Sequence, residues 1–249
     1  MSSATPRILV IQHEENCPAG LLGEVWEDRG VEIDLVRAWE HWPADVAERL
    51  EACDGLLVLG GEMGAHDDDR FAWLTPTKEL IRRAEEAAVP QLGTCLGHQL
   101  MAVAHGGRVA VNPNGHATGL APVALTPAGG SDPVLAPRDG APLVMWNNDV
   151  VVDLPDNATV LAHNPDGSLQ AARFGRHGLG IQGHPEAGPR IFNSWTIDKP
   201  SAEQARQDGI DVAEAAGRVA AAEGQLRAAW TPLAHWFADQ AEAHAAARR

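Results

Sequence analysis

The stretch "PQLGTCLGHQLMAVAHGG" (90–107) sets a short apolar run, a cysteine between two glycines, and a helical pattern that stops at Gly106-Gly107. A strand that turns this sharply into a helix is one βα unit, and the turn lifts its apex residue, Cys95, above the end of a sheet. Glycine on both sides has a steric reason: side chains at Gly93 and Gly97 would collide with neighbouring backbone. Cysteine at the apex also faces the positive end of the following helix, which favours thiolate over thiol. An ordinary thiol, with a pKa near ~8.5, is only a few per cent ionised at neutral pH, so a base partner is expected.

The same unit repeats upstream. "RILVIQ" (7–12) reads as a strand and "PAGLLGEVWEDRG" (18–30) as a helix carrying Leu21, Leu22, Val25 and Trp26 on one face. "VEIDLV" (31–36) alternates apolar and polar residues, "PADVAERLEA" (43–52) is helical, and "GLLVLGG" (55–61) is a buried strand ending in paired glycines. "TPTKELIRRAEEAA" (75–88) predicts the helix that precedes the cysteine strand. Alternating strands and helices predict an α/β fold with a mostly parallel sheet flanked by helices.

Downstream the texture changes. From about residue 108 the chain reads as short strands separated by Pro, Gly, Asn and Asp, and these predict hairpins returning to the main sheet. The last quarter is helical again. "SAEQ" (201–204) has the form of a capping box, the 201–223 stretch reads as a surface cover, and Trp230, Leu233, Trp236 and Phe237 form an apolar stripe. Without an internal repeat or a linker-like run, residues 1–249 are expected to form a single domain, with a core over about 7–195 and a helical extension over 196–249.

Composition narrows the chemistry. Hydrophobic residues make up 45% and charged residues 21%, the balance of a folded globular chain. The formal charge of -15 repels nucleic acid phosphate and anionic lipid. Neither lysine, Lys78 or Lys199, stands in a Gly-Lys-Ser/Thr phosphate cradle. No apolar run approaches the roughly 18 residues of a membrane span, and the N-terminus lacks a signal pattern, so a cytoplasmic location is expected. Cys17, Cys53 and Cys95 are widely spaced, with no Cys-x-x-Cys pair, which argues against a disulfide framework or a zinc site. Cys17 and Cys53 read as core residues. The acidic run "HDDDR" (66–70) reads as a solvated loop rather than a metal site, and "AGGSD" (128–132) as a turn. No metal or cofactor is expected.

Among the eleven histidines, His184 in "IQGHPEAG" is the best base candidate. Proline after it favours an extended backbone, which points His184 and Glu186 to the same side. Glu186 can then fix the imidazole tautomer and stabilise the imidazolium, giving a Cys95-His184-Glu186 triad. His98, one helical turn beyond Cys95, is a rival base whose position favours packing or the pocket wall. The loop after "LVLG" can aim the Gly61 amide at a developing oxyanion, with the Leu96 amide as the second donor.

Together, "VLGGEMG" (58–64), "PQLGTCLGHQLMAVAHGGRV" (90–109), "MWNNDVVVDLP" (145–155) and "GIQGHPE" (180–186) resemble the class I glutamine amidotransferases of the triad type. In order and spacing the resemblance spans roughly 7–195, and it is closest to the amidotransferase domain of GMP synthetase and its free-standing relatives. It implies a flavodoxin-like fold with a nucleophile elbow, and attack on the glutamine side-chain amide by Cys95 through a glutamyl thioester that releases ammonia. It also implies His184 as general base and acid, Glu186 as its orienter, and a substrate site around Gly60, Gln99 and the main chain of Asn147, Asn148 and Asp149. Asn147-Asn148-Asp149 stands where many relatives carry a His-Gly-Asp-like segment, and Glu62 replaces a frequent proline. Three functions are compatible with these residues. They are a glutaminase delivering ammonia to a separate synthetase subunit, a hydrolase of γ-glutamyl peptides or amides, and a non-catalytic binding or regulatory protein on this fold.

Overall fold

The computed structural model describes residues 5–197 and 200–248. Its first half is the expected alternation. β1 (Arg7–Gln12), α1 (Gly20–Asp28), β2 (Glu32–Arg37), α2 (Val46–Glu51), β3 (Gly55–Val58), α3 (Leu74–Glu86), β4 (Gln91–Thr94) and α4 (Leu96–Ala104) follow one another. The period-2 pattern of the strands explains how both faces are covered. Ile8 and Val10 of β1 and Leu57 of β3 join one core, with α1 and the C-terminal helices, while Leu9, Ile11, Leu56 and Val58 join a second core under α2, α3 and α4.

The second half supplies β5 (Arg108–Val111), β6 (Ala117–Pro122), β7 (Ala124–Leu125), β8 (Pro142–Asn147), β9 (Asp149–Asp153), β10 (Ala158–His163), β11 (Leu169–Phe174) and β12 (Gly178–Ile181). The main sheet has the order β2-β1-β3-β4-β12-β11-β10-β7. It is parallel from β2 to β12 and antiparallel beyond. The expectation that the hairpins return to this sheet therefore holds for β7 and β10 to β12 and fails for the rest. β5 pairs with β9, and β6 with β8, as separate two-stranded ladders. Burial follows depth in the sheet: β12 is buried at every residue and β11 at all but one, as a strand covered on both faces requires, whereas β10 and β7 at the sheet's end, like β5 and β6 outside it, are mostly exposed or half-buried.

The C-terminal part contains α5 (Pro189–Trp195), α6 (Pro200–Gln207), α7 (Val212–Ala221) and α8 (Glu223–Ala247). The capping box expected at 201–204 does not form. Pro200 already starts α6, so Ser201 lies inside the first turn, and its hydroxyl bonds Glu62 and Trp146 instead. A side-chain cap occurs at Asp211, which accepts from the Glu214 amide at 2.9 Å and opens α7. Gly209, at φ +83°, separates the two helices, so 201–223 is not one continuous cover.

The apolar stripe of α8 behaves as expected. Trp230, Leu233 and Phe237 are fully buried, Trp236 partly so, and the Trp26 indole N–H donates to Ala234 O at 2.9 Å. Arg248 donates to Cys53 O at 2.7 Å, which ties the end of α8 to the loop entering β3. Cys17 and Cys53 are both buried.

Candidate active site

The elbow sits at the C-terminal end of β4, where ligand sites of open α/β sheets gather. Cys95 adopts φ +49°, ψ -108°, a strained conformation for any residue but glycine. Its neighbours explain how the strain is held. A Cβ on Gly97 would lie 2.0 Å from Val58 O, and one on Gly93 would lie 2.6 Å from Met101 Sδ and 2.7 Å from Gly97 C. Only the two glycines let α4 press against β3 and β4 this closely. The Cys95 amide donates to Ile181 O at 2.9 Å, which fixes the apex to β12, and its thiol faces Trp146 O at 3.8 Å.

β12 runs parallel to β4, so the segment after it arrives beside the elbow. His184 makes an isolated bridge with Val144, donating its amide to Val144 O at 2.8 Å. Across Pro185, His184 Nδ1 donates to Glu186 Oε1 at 2.8 Å, and both side chains are almost wholly buried. The two side chains meet as expected, but not along an extended segment: Pro185 and Glu186 form a turn, closed by the Ala187 amide donating to His184 O at 3.2 Å. Gly60 supplies the third side. A Cβ there would sit 2.9 Å from His184 Cε1 and 3.4 Å from Cys95 Cβ, so the sulfur-bearing and imidazole side chains flank one glycine. His184 Nε2 has no partner among the described residues. Burial alone would lower the imidazole pKa, but the charges of Cys95 and then Glu186 outweigh it and push His184 up to about 10.

Two further residues complete the setting, and neither carries a signal in the residue pattern. Thr94, fully buried, donates its hydroxyl to Glu186 Oε1 at 3.3 Å. The Trp195 ring lies 4.5 Å from the His184 ring, with its own N–H donating to Asn16 O at 2.9 Å. The rival base His98 faces Gly180 and packs beside Phe174, ring centroids 5.4 Å apart. Burial drives its pKa down to about 3, which leaves it neutral in the core.

Cys95 and His184 open into a cleft of about 500 Å³. Gly61 lies on it next to Leu96: a Cβ on Gly61 would meet Leu96 Cδ2 at 3.3 Å and His13 Cβ at 3.0 Å. Glu62 is exposed, its amide donates to Glu14 Oε1 at 2.8 Å, and its carboxylate accepts from Ser201. Gln99, Asn147, Asn148 and Asp149 also line the cleft. Gln99 Nε2 donates to Asp149 O at 2.9 Å, Asn147 Nδ2 donates to the same carbonyl at 3.1 Å, and Asn148 O accepts from the Asn112 amide at 2.7 Å. The main-chain carbonyls of 148 and 149 are thus already engaged within the wall.

The remaining sequence candidates separate cleanly. Asp68 pairs with Lys78 at 2.7 Å while Asp67 turns to the Gly64 amide at 3.0 Å, so the "HDDDR" carboxylates diverge, and no metal-binding cluster occurs among the described residues. "AGGSD" forms a short turn, with Asp132 capping Val134 and Leu135 and pairing with Arg173. Among the described residues no helix is long and apolar enough to cross a membrane.

The chain is similar to several known proteins. Gamma-glutamyl peptidase 5 of Arabidopsis thaliana is 29% identical over 191 residues, 75% of this chain and 74% of that protein. The glutamine amidotransferase-like protein YfeJ of Salmonella typhimurium is 32% identical over 187 residues, 72% of this chain and 75% of its own length. The solved structure of a glutamine amidotransferase from Thermotoga maritima superposes with a TM-score of 0.82 at 23% identity, covering 94% of this chain and 99% of that one, and supports the fold. The family model for class-I glutamine amidotransferases matches residues 22–199, and the chain belongs to that family.

Proposed function

We propose that this chain hydrolyses the γ-amide bond of glutamine, with Cys95 as nucleophile, His184 as general base and acid, and Glu186 as the residue that holds His184. The observation that carries the reading is the strained Cys95 apex sharing Gly60 with the ring of a Glu186-bound His184. At rest His184 already holds the proton of the Cys95 thiol, and the thiolate adds to the γ-carbonyl carbon. Charge developing on the carbonyl oxygen meets the amides of Gly61 and Leu96. The C–N bond then breaks as His184 returns its proton to the leaving nitrogen, which departs as ammonia. Water, deprotonated by the same imidazole, resolves the glutamyl thioester to glutamate and free Cys95. A separate synthetase subunit is the partner proposed to consume the ammonia.

One observation favours a second reading, hydrolysis of γ-glutamyl peptides by the same steps. The cleft of about 500 Å³ falls among sites that take drug-sized ligands, roughly 300–1,000 Å³, and has room beyond the glutamyl group. The similarity to gamma-glutamyl peptidase 5 points the same way. Steady-state turnover of glutamine and of a panel of γ-glutamyl dipeptides separates the two readings. In either case Cys95→Ala is expected to reduce turnover by about 10⁴-fold or more. Activity persisting in Cys95→Ala overturns the mechanism.

A further inference from the structure

The loop after β1, residues 13–17, has no role in the chemistry above, yet with the end of β1 it holds both sides of the glycine pair at 60–61. Leu59, before the pair, donates its amide to Ile11 O at 3.0 Å, which continues the β1-β3 ladder. Glu62, after the pair, donates its amide to Glu14 Oε1 at 2.8 Å. Two successive glycines have no side chains to limit their dihedrals, so the direction of the Gly61 amide depends on what fixes the peptides around it. One fixing contact is main chain and the other is a carboxylate. An amide bonded to a carboxylate is charge-assisted and roughly twice as strong as a neutral pair.

Glu14 is half-buried and is itself held in place. Gln12 Nε2 donates to Glu14 O at 2.8 Å and to Glu15 O at 3.2 Å, the Cys17 amide donates to Glu14 O at 3.2 Å, and the Cys17 thiol reaches Glu14 Oε1 at 3.5 Å. Its neighbour His13 is fully buried against the same glycines: a Cβ on Gly61 would lie 3.0 Å from His13 Cβ and 3.3 Å from Leu96 Cδ2. Burial drives the His13 pKa down to about 3, and Trp73 Nε1 donates to His13 Nδ1 at 3.2 Å, which fixes a neutral ring. Gly61 is thus confined between His13 and Leu96, whose amide is the second proposed donor, and its following peptide is tied to Glu14.

We propose that Glu14 is a positioning residue for the oxyanion hole. Its carboxylate holds the 61–62 peptide, and with it the Gly61 amide, in the orientation that meets the charge on the γ-carbonyl oxygen, so that nothing has to turn as that charge develops. Glu14 acts through the main chain and not on the reacting atoms. Its effect falls on the transition state, where the oxygen is charged, rather than on bound substrate, whose neutral carbonyl demands less of the donor. This rests on the hydrolase reading and adds the side chain that aims one of its two donors.

The test compares Glu14→Ala, Glu14→Met and Glu14→Gln in the full chain, with circular dichroism as the check on folding. On whichever γ-glutamyl compound the native chain turns over, Glu14→Ala and Glu14→Met, which lack an acceptor, should lose kcat by about tenfold or more with KM within about threefold. Glu14→Met fills the space that Glu14→Ala leaves, so a shared loss reports the acceptor and not the packing. Glu14→Gln keeps an acceptor oxygen and should return kcat to within about threefold of the native value. A second readout needs no turnover. Glutaric semialdehyde adds to Cys95: a C–S bond forms, the carbonyl π pair moves to oxygen, the proton stays on His184, and the charged oxygen takes the place of the oxyanion. Its dissociation constant should rise about tenfold or more in Glu14→Ala and recover in Glu14→Gln, whereas glutamine binding to Cys95→Ala should change by less than about threefold when Glu14→Ala is added. A loss in KM rather than kcat, no rescue in Glu14→Gln, or equal aldehyde affinity in all four chains overturns the positioning role. An aldehyde affinity that follows the acceptor at 14, in a chain that turns over no γ-glutamyl compound, refutes the hydrolase reading and leaves the positioning role standing. Turnover that neither Glu14→Ala nor Glu14→Met slows does the reverse.

Discussion

The floor and the rim of the cleft are built on different physics. Cys95, His184, Glu186 and Thr94 are all buried, and their positions follow from close approaches that only Gly60, Gly93 and Gly97 allow. The rim, with Glu62, Arg70, Asp149 and Ser201, is exposed or half-buried and is held by polar contacts, from Ser201 of α6 to Glu62 and, within one loop, from Arg70 to Asp67. The proposed reaction geometry is thus held by packing, which tolerates little change, whereas the rim is held by surface polar contacts, each worth less. Substitutions in the floor should act mainly on kcat, and those at the rim mainly on KM.

Beyond removal of the nucleophile, the largest effect is expected at Glu186. Glu186→Gln removes the carboxylate that orients His184, and kcat/KM should fall by about 10²–10⁴-fold. The pH dependence gives a second readout. Because Cys95 and Glu186 raise the His184 pKa to about 10 against the burial that lowers it, the imidazolium should persist into alkaline solution, and the alkaline limb should lie near pH 10. Loss of the Glu186 charge lowers that pKa, so the limb moves to lower pH. The stability linkage has the same sign. A raised folded-state pKa contributes stability that is complete below the ordinary value near 6.5 and is lost as pH rises through about 10. Denaturant unfolding of Glu186→Gln between pH 6 and 10 should therefore show a weaker decline than the native chain.

A smaller effect is expected at Thr94. Thr94→Val deletes the hydroxyl that donates to Glu186 at 3.3 Å, and kcat should drop by about three- to tenfold with KM unchanged. Thr94→Ser should restore it. A loss of KM instead of kcat, or no rescue by serine, would place Thr94 outside the positioning of the carboxylate. The smallest effect belongs to the rim. Ser201→Ala removes the contacts to Glu62 and Trp146, and should change KM by less than about threefold while leaving kcat and melting temperature nearly unchanged. An equal loss of kcat at Ser201 would break the division between floor and rim.

Legibility in the sequence follows the same division. Gly93, Cys95 and Gly97 could be read because the turn's steric demand falls on adjacent residues, and His184-Pro185-Glu186 because proline fixes the local backbone that joins the two side chains. β1 and β3 were readable because covering both faces leaves continuous apolar runs, and β2, at the edge of the sheet, because its residues alternate. The ladders of β5 with β9 and β6 with β8 were not, since a short strand carries no mark of which sheet it joins. The capping-box pattern at 201–204 was overridden by Pro200, which opened the helix two residues earlier and freed Ser201 for the cleft rim.

By itself the sequence determined the βα units, the elbow, and the pairing of His184 with Glu186, because each is settled by neighbours within a few residues along the chain. Tertiary structure alone decided that Thr94 would meet Glu186 across 92 positions, that Trp195 would cover His184, and that Asp149 would share a cleft with Asp67 and Arg70. Those contacts depend on β12 docking beside β4 and on helices returning over the sheet, and no local pattern of residue types encodes where such distant segments come together.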